Sequence, residues 1–255
     1  MPVSNADDPP ILSLENGASI AYHQTQGRAP GVVFLTGFMS DMDGGKALAL
    51  EELCAARGQA FLRFDYQGHG ASSGDFADGH IGAWTEDAVA AFDQLTEGPQ
   101  ILVGSSMGGW IMLLTALARP ERVAALIGIA AAPDFTEDIL PGELTGAQLA
   151  EIETNGRIVI PSEYEDDYII TKALLTEGRK HLVMGGEIPL DCPARLIHGI
   201  EDPSVPFETA LRLQERLRSD DVEVTLVKAG DHRLSEPEDL ARLCRTLESL
   251  LDRLS

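Results

Sequence analysis

The stretch Gln100-Ile101-Leu102-Val103-Gly104-Ser105-Ser106-Met107-Gly108-Gly109-Trp110 decides how the rest of the chain is read. An apolar run ends in Gly-x-Ser-x-Gly, and a helix-forming segment over 110–118 follows at once. A serine held between small residues at a strand-to-helix turn suits a nucleophile elbow. The glycines let the backbone fold tightly enough to push the hydroxyl out, and the helix aims its N-terminus at developing negative charge. A second match to the pattern, Gly70-Ala71-Ser72-Ser73-Gly74, has no apolar strand before it. Ser72 and Ser73 therefore read as turn residues, and Ser106 as the candidate nucleophile.

Working outward from this stretch, a strand–helix rhythm fills most of the chain. Residues 1–10 read as a loose polar tail. Residues 11–14 and 18–24 flank Glu15-Asn16-Gly17, a hairpin signal. Short apolar runs at 32–35, 60–64, 101–104, 125–130, 194–198 and 222–227 read as strands. Helices are expected over 46–57 (closed by Gly58), 84–96, 110–119, 206–218 and 236–254. Apolar strands alternating with helices predict an α/β protein with a doubly wound, mostly parallel sheet.

The rhythm breaks between Pro133 and Cys192, where helical patches are expected near 145–153 and 171–181 but no clear buried strand. About 60 residues without a core strand are usually lid-like. The expected division is a core of residues 1–132 and 193–255 with a cap insertion at 133–192.

Composition limits the partners. The chain has 255 residues, with 41 Asp and Glu against 19 Lys and Arg, so nucleic acid and anionic membranes are not expected partners. Cys54, Cys192 and Cys244 are odd in number and widely spaced, which suits reduced thiols rather than a disulfide frame or a zinc site. No basic residue precedes Arg28 and no apolar run is long enough to span a bilayer, so neither a leader peptide nor a membrane span is expected. The glycine-rich turn at 68–74 lacks a Gly-Lys-Ser/Thr ending, so no nucleotide or other cofactor is expected. Oligomeric state is not legible.

A serine nucleophile needs a base, and the base needs an acid to orient it. In a fold of this kind the order is Ser, acid, His, each just past the end of a strand. Asp202, in His198-Gly199-Ile200-Glu201-Asp202-Pro203, and His232, in Gly230-Asp231-His232, satisfy that order. Asp134, Glu201 and Asp231 remain rivals for the acid. His69 and His198 read as structural, and His23, His80 and His181 give no signal. Backbone amides are the simplest oxyanion donors. Met107, right after the nucleophile, is one, and Phe38, in the turn after residues 32–35, is the expected other, with Met39 as runner-up.

These residues resemble the α/β-hydrolase superfamily over nearly the whole chain. The stretches Tyr22-His23, 31–37, Arg63-Phe64-Asp65-Tyr66, 97–110, Arg119-Pro120-Glu121, 126–130 and Asp231-His232-Arg233 are similar to the branch of palmitoyl-protein thioesterases and acyl-glucuronide esterases. The resemblance implies Ser106, Asp202 and His232 as the triad. It also implies a serine hydrolase of thioesters or esters with a medium or long acyl group, acting on a small molecule or an S-acylated protein. Alternatives are an acyl-glucuronide or small xenobiotic esterase, with Arg233 meeting a substrate carboxylate, and a non-catalytic ligand receptor on the same fold. Phe135, Ile139 and Leu140 would line an acyl pocket. The animal members carry a mitochondrial transit peptide with no counterpart here, so a bacterial-type, cytoplasmic relative is expected.

Overall fold

The computed structural model describes residues 9–161 and 167–254; the tail expected over residues 1–10 therefore lies almost wholly outside the described residues. Strand β1 (Ile11–Ser13) turns back as β2 (Ser19–Thr25) in an antiparallel hairpin. Gly17 takes the positive φ of 89° that the turn requires, and Asn16 Oδ1 accepts from the Ala18 N–H. There follow β3 (Arg28–Leu35), helix α1 (Gly45–Arg57), β4 (Gln59–Phe64), α2 (Ile81–Leu95), β5 (Gln100–Ser105), α3 (Met107–Ala118) and β6 (Val123–Ile129).

After β6 the chain makes its long excursion through α4 (Phe135–Asp138), α5 (Leu140–Glu143), α6 (Gly146–Asn155), β7 (Arg157–Ile160), β8 (Tyr168–Thr171) and α7 (Lys172–Gly178). It then returns to β9 (Ala194–Gly199), α8 (Glu208–Arg216), β10 (Val222–Val227) and α9 (Pro237–Leu254). The main sheet has eight strands in the order β1-β2-β4-β3-β5-β6-β9-β10. It is parallel from β4 to β10, with β1 and β2 antiparallel at one edge.

The two-residue period of the strands sorts side chains between two apolar layers. Val33, Leu35 and Leu102 join the layer built with Trp84, Phe92, Trp110 and Leu113 of α2 and α3. Val32, Phe34, Ile101 and Val103 point the other way, onto Leu50 of α1 and Leu247 and Leu251 of α9. Helix α9 earns its place by pattern, since Leu243, Leu247, Leu250 and Leu251 recur on one face and are all buried. Six consecutive buried residues make β5 the middle of the molecule, and its end is where the Gly-x-Ser-x-Gly turn stands.

Two expectations need correction. Helix α2 begins at Ile81 rather than at 84, because the His80 ring Nδ1 accepts the Ala83 N–H at 3.2 Å and caps it. Histidine is a rare cap, so the start carried no conventional signal. The excursion, expected to hold no clear buried strand, contains β7 and β8 paired as an antiparallel ribbon separate from the main sheet. Their runs, Arg-Ile-Val-Ile and Tyr-Ile-Ile-Thr, are only four residues long and bury part of their length, with Ile158 and Ile170 joining the apolar core, which is why no buried-strand signature marked them.

The excursion is tied at both ends. Asp134, at φ 58°, accepts the Val183 N–H at 2.9 and 3.0 Å and the Met184 N–H at 2.8 Å. Trp110 Nε1 donates to the His181 carbonyl at 3.0 Å, joining the same end to α3. Burial raises the Asp134 pKa, and those two N–H bonds oppose the rise. Removing the carboxylate in Asp134→Ala leaves two donors without an acceptor and is expected to cost about 1–3 kcal/mol in the denaturant midpoint. Faster proteolysis between residues 134 and 184 is the accompanying readout.

Candidate active site

The turn at Ser106 is built by close approach. Ser106 has φ 54° and ψ −120°, a sparsely populated conformation held by neighbours on every side. Its N–H donates to the Ile129 carbonyl at 2.9 Å, and its carbonyl accepts from Gly109 at 2.8 Å and Ala132 at 3.0 Å. A Cβ at Gly104 would stand 2.7 Å from Gly109 Cα, and one at Gly108 would stand 2.7 Å from the Leu35 carbonyl carbon. Both glycines of the pattern are therefore there for space, which lets β5, β3 and the start of α3 pack backbone to backbone.

Three side chains meet at this turn. Ser106 Oγ lies 3.0 Å from His232 Nε2, and His232 Nδ1 lies 2.8 Å from Asp202 Oδ2. Asp202 follows β9 and His232 follows β10, neighbouring parallel strands, so both turns emerge at one end of the sheet. They are stitched together: Ile200 N–H donates to the Val227 carbonyl and Glu201 N–H to that of Gly230.

Asp202 is fully buried at its side chain, whereas that of His232 remains 17% exposed. The second Asp202 oxygen, Oδ1, accepts the N–H groups of Ser204 and Val205, each at 2.8 Å. Burial by itself would push the Asp202 carboxyl up. Hydrogen bonds from His198 and His232, the His232 charge and the Val205 N–H outweigh it and hold the group well below the usual carboxylate range. These bonds thus favour the ionised form of Asp202.

The rivals are spent elsewhere. Asp134 is committed to Val183 and Met184, and Asp231 Oδ1 accepts from Leu234 N–H. Glu201 is exposed at the surface of its turn. Ser72 and Ser73 accept the Ala21 and Ser19 N–H groups, binding their glycine-rich turn to β2. His69 packs among Tyr66, Phe76 and Trp84, and burial pushes its pKa down to about 4.

The turn after β3 lies directly against the serine: a Cβ on Gly37 would sit 3.5 Å from Ser106 Cβ. Phe38 and Met39 follow, the latter at φ 52°. Met107 opens α3, so its N–H is among those with no acceptor within the helix. The Phe38 ring meets those of Phe76, Trp84, Phe135 and Tyr168 at centroid distances of 4.9, 6.1, 5.9 and 6.1 Å.

Ser106, Met107, Phe38, Met39 and His232 all border one cavity of about 810 Å³. Phe135, Ile139, Leu140, Ile160, Tyr168 and Ile170 form its apolar wall, all from the excursion. Asp41, Lys46, Ser204, Arg233 and Ser235 form a polar rim. Its size suits an organic ligand. Among the described residues no cluster of three His, Cys, Asp or Glu is placed to hold a metal, and no helix is long and apolar enough to cross a membrane.

Sequence reasoning missed two neighbours of the site. Lys46, at the start of α1, donates to the Arg233 carbonyl beside the histidine; burial, then Arg233, pushes its pKa down to about 8. His198, read as structural, lies against Asp202. Its position four residues before the aspartate was the available signal.

Fold and site together define an α/β hydrolase. The family described as "Serine aminopeptidase, S33" matches residues 30–158, and the chain belongs to that hydrolase family. The palmitoyl-protein thioesterase ABHD10 of rat is 44% identical over 93% of this chain and 80% of its own. The solved structure of mouse α/β-hydrolase domain-containing protein 10 is 41% identical, covering 96% of this chain and 99% of its own, with a TM-score of 0.89. A putative hydrolase from Agrobacterium vitis S4 has the same identity and TM-score, covering 94% of this chain and 96% of its own. These likenesses overturn the cytoplasmic expectation: the rat, mouse, orang-utan, human and cattle relatives are all mitochondrial proteins.

The glycine packing makes a direct prediction. Gly108→Ala must force β3 and α3 apart and is expected to destabilise by more than about 2 kcal/mol. An unchanged Tm would show that this approach is looser than described.

Proposed function

We propose that the protein is a serine thioesterase or esterase acting on medium or long acyl groups through an acyl-enzyme, with Ser106, His232 and Asp202 as its triad. The observation that carries the reading is the continuous hydrogen-bond chain from Ser106 Oγ through His232 to the buried Asp202 carboxylate. Identity of 41–44% to ABHD10 palmitoyl-protein thioesterases supports the acyl class.

In this mechanism His232 Nε2 takes the Ser106 proton as Oγ attacks the acyl carbon, and Asp202 steadies the imidazolium. The amides of Met107 and Phe38 face the developing oxyanion. His232 returns the proton to the leaving group, water repeats the sequence, and the free acid departs. A thiol leaves readily because its pKa is about 8.5, so thioesters need little acid assistance.

Geometry then divides the cavity. The leaving atom must reach His232, so it lies toward the rim of Lys46 and Arg233. The acyl chain lies along Phe135, Ile139, Leu140 and Ile160. Residues 133–192 serve as a cap over that chain, set on a core of 1–132 and 193–255.

The test is hydrolysis of matched p-nitrophenyl esters and S-acyl thioesters of increasing chain length. A rise with chain length is expected, and Ser106→Ala should lower kcat by about 10³-fold or more with folding intact. Activity surviving Ser106→Ala would remove Ser106 as nucleophile, and activity confined to short esters would remove the long-chain reading. Asp202→Asn should cost about 10⁴-fold in kcat by permitting the wrong His232 tautomer.

Arg233 in the polar rim favours a second reading, an ester whose leaving group carries a carboxylate. Arg233→Ala would then lose activity on anionic esters by about fivefold or more while neutral esters are unaffected. Equal change on both would exclude it.

A further inference from the structure

We propose that His198 is a positioning residue: its ring N–H, shared between Asp202 and the Val205 carbonyl, fixes the carboxylate that orients His232. The proposal rests on the triad reading above and concerns a residue outside that triad.

The geometry determines which ring nitrogen carries the proton. His198 Nε2 lies 2.9 Å from the Val205 carbonyl oxygen and 3.2 Å from Asp202 Oδ2. Both neighbours are acceptors, so Nε2 carries the hydrogen and shares it. Nδ1 is buried with no hydrogen-bond partner. The two acceptors at Nε2 and none among the described residues at Nδ1 select the Nε2–H tautomer. A buried imidazole with one idle nitrogen is an expensive way to fill a core position. What it obtains is a donor aimed at one carboxylate oxygen.

The donor acts on Asp202 by two routes. Directly, it lies on Oδ2, the oxygen that also accepts from His232. Indirectly, it holds the Val205 carbonyl while the Val205 N–H holds Oδ1, so one ring braces the whole turn from 202 to 205. Without it, Oδ2 keeps a single partner and the turn loses its inner anchor. The carboxylate plane then swings, and His232 follows it away from Ser106.

A donated hydrogen bond separates this role from simple packing: the same Oδ2 takes the His198 N–H and faces His232 Nδ1, so a ring of equal size without the donor fills the space but leaves the carboxylate less fixed.

The experiment compares His198→Phe, which keeps a ring but no donor, with His198→Gln, whose amide N–H reaches the same position. A short p-nitrophenyl ester is the substrate. In His198→Phe, kcat should fall about tenfold or more with KM within about twofold. His198→Gln should recover most of the lost kcat.

A folded His198→Phe protein with unchanged kcat would overturn the proposal, as would a loss that appears only in KM. Equal impairment in the Gln variant would also overturn it. Should the Phe variant fail to fold, 15N NMR of histidine in the wild-type protein decides. A proton on Nε2 is expected, and an Nδ1–H tautomer at His198 refutes the role. Ser106→Ala separates the two levels: activity surviving there defeats the triad, whereas inactivity there beside an unaffected His198→Phe defeats only the positioning role.

Discussion

Backbone crowding at the end of β5 is the constraint on which the rest depends. Ser106 adopts a positive φ because three chain segments converge there, and only residues without side chains at 104 and 108 permit the approach. Such strain persists where surrounding structure over-determines it, and here β6, the turn after β6 and the first turn of α3 all contribute bonds. The hydroxyl stands clear of the sheet for the same reason that the glycines are needed. Topology and chemistry are one feature at this point.

A second constraint is the burial of Asp202. An ionised carboxylate sealed from solvent is costly unless its oxygens are fully engaged. Here each oxygen has two donors close by, two backbone amides on one and two imidazoles on the other. The turn after β9 is shaped by that requirement more than by the helix it leads into. His232, partly open to the cavity, completes the set from the next strand and so couples a sealed charge to a reachable hydroxyl.

Much of this architecture was legible in the residues, and the failures have physical causes. The central strands of the main sheet declared themselves because they are buried on both faces, leaving uninterrupted apolar runs such as Ile101 to Val103. The order of Ser106, Asp202 and His232 was readable because each follows a strand, the last of them an edge strand of alternating pattern. The ribbon of β7 and β8 was not, since strands of four residues that bury only part of their length are too short to show a period. The capping of α2 by His80 was hidden by an unusual residue type. His198 looked like a strand-end residue because its importance lies in a contact across a tight turn, which neither period nor composition reports. Location was misjudged for a different reason: composition bounds partners, whereas destination is an address that the fold does not encode.

The ring of Phe38 touches one aromatic from the core, one from the turn before α2 and two from the segment that walls the cavity. Its own backbone borders Ser106 in that cavity. The wall of the cavity and the turn beside Ser106 are therefore mechanically continuous through a single side chain, so a displacement of one is transmitted to the other.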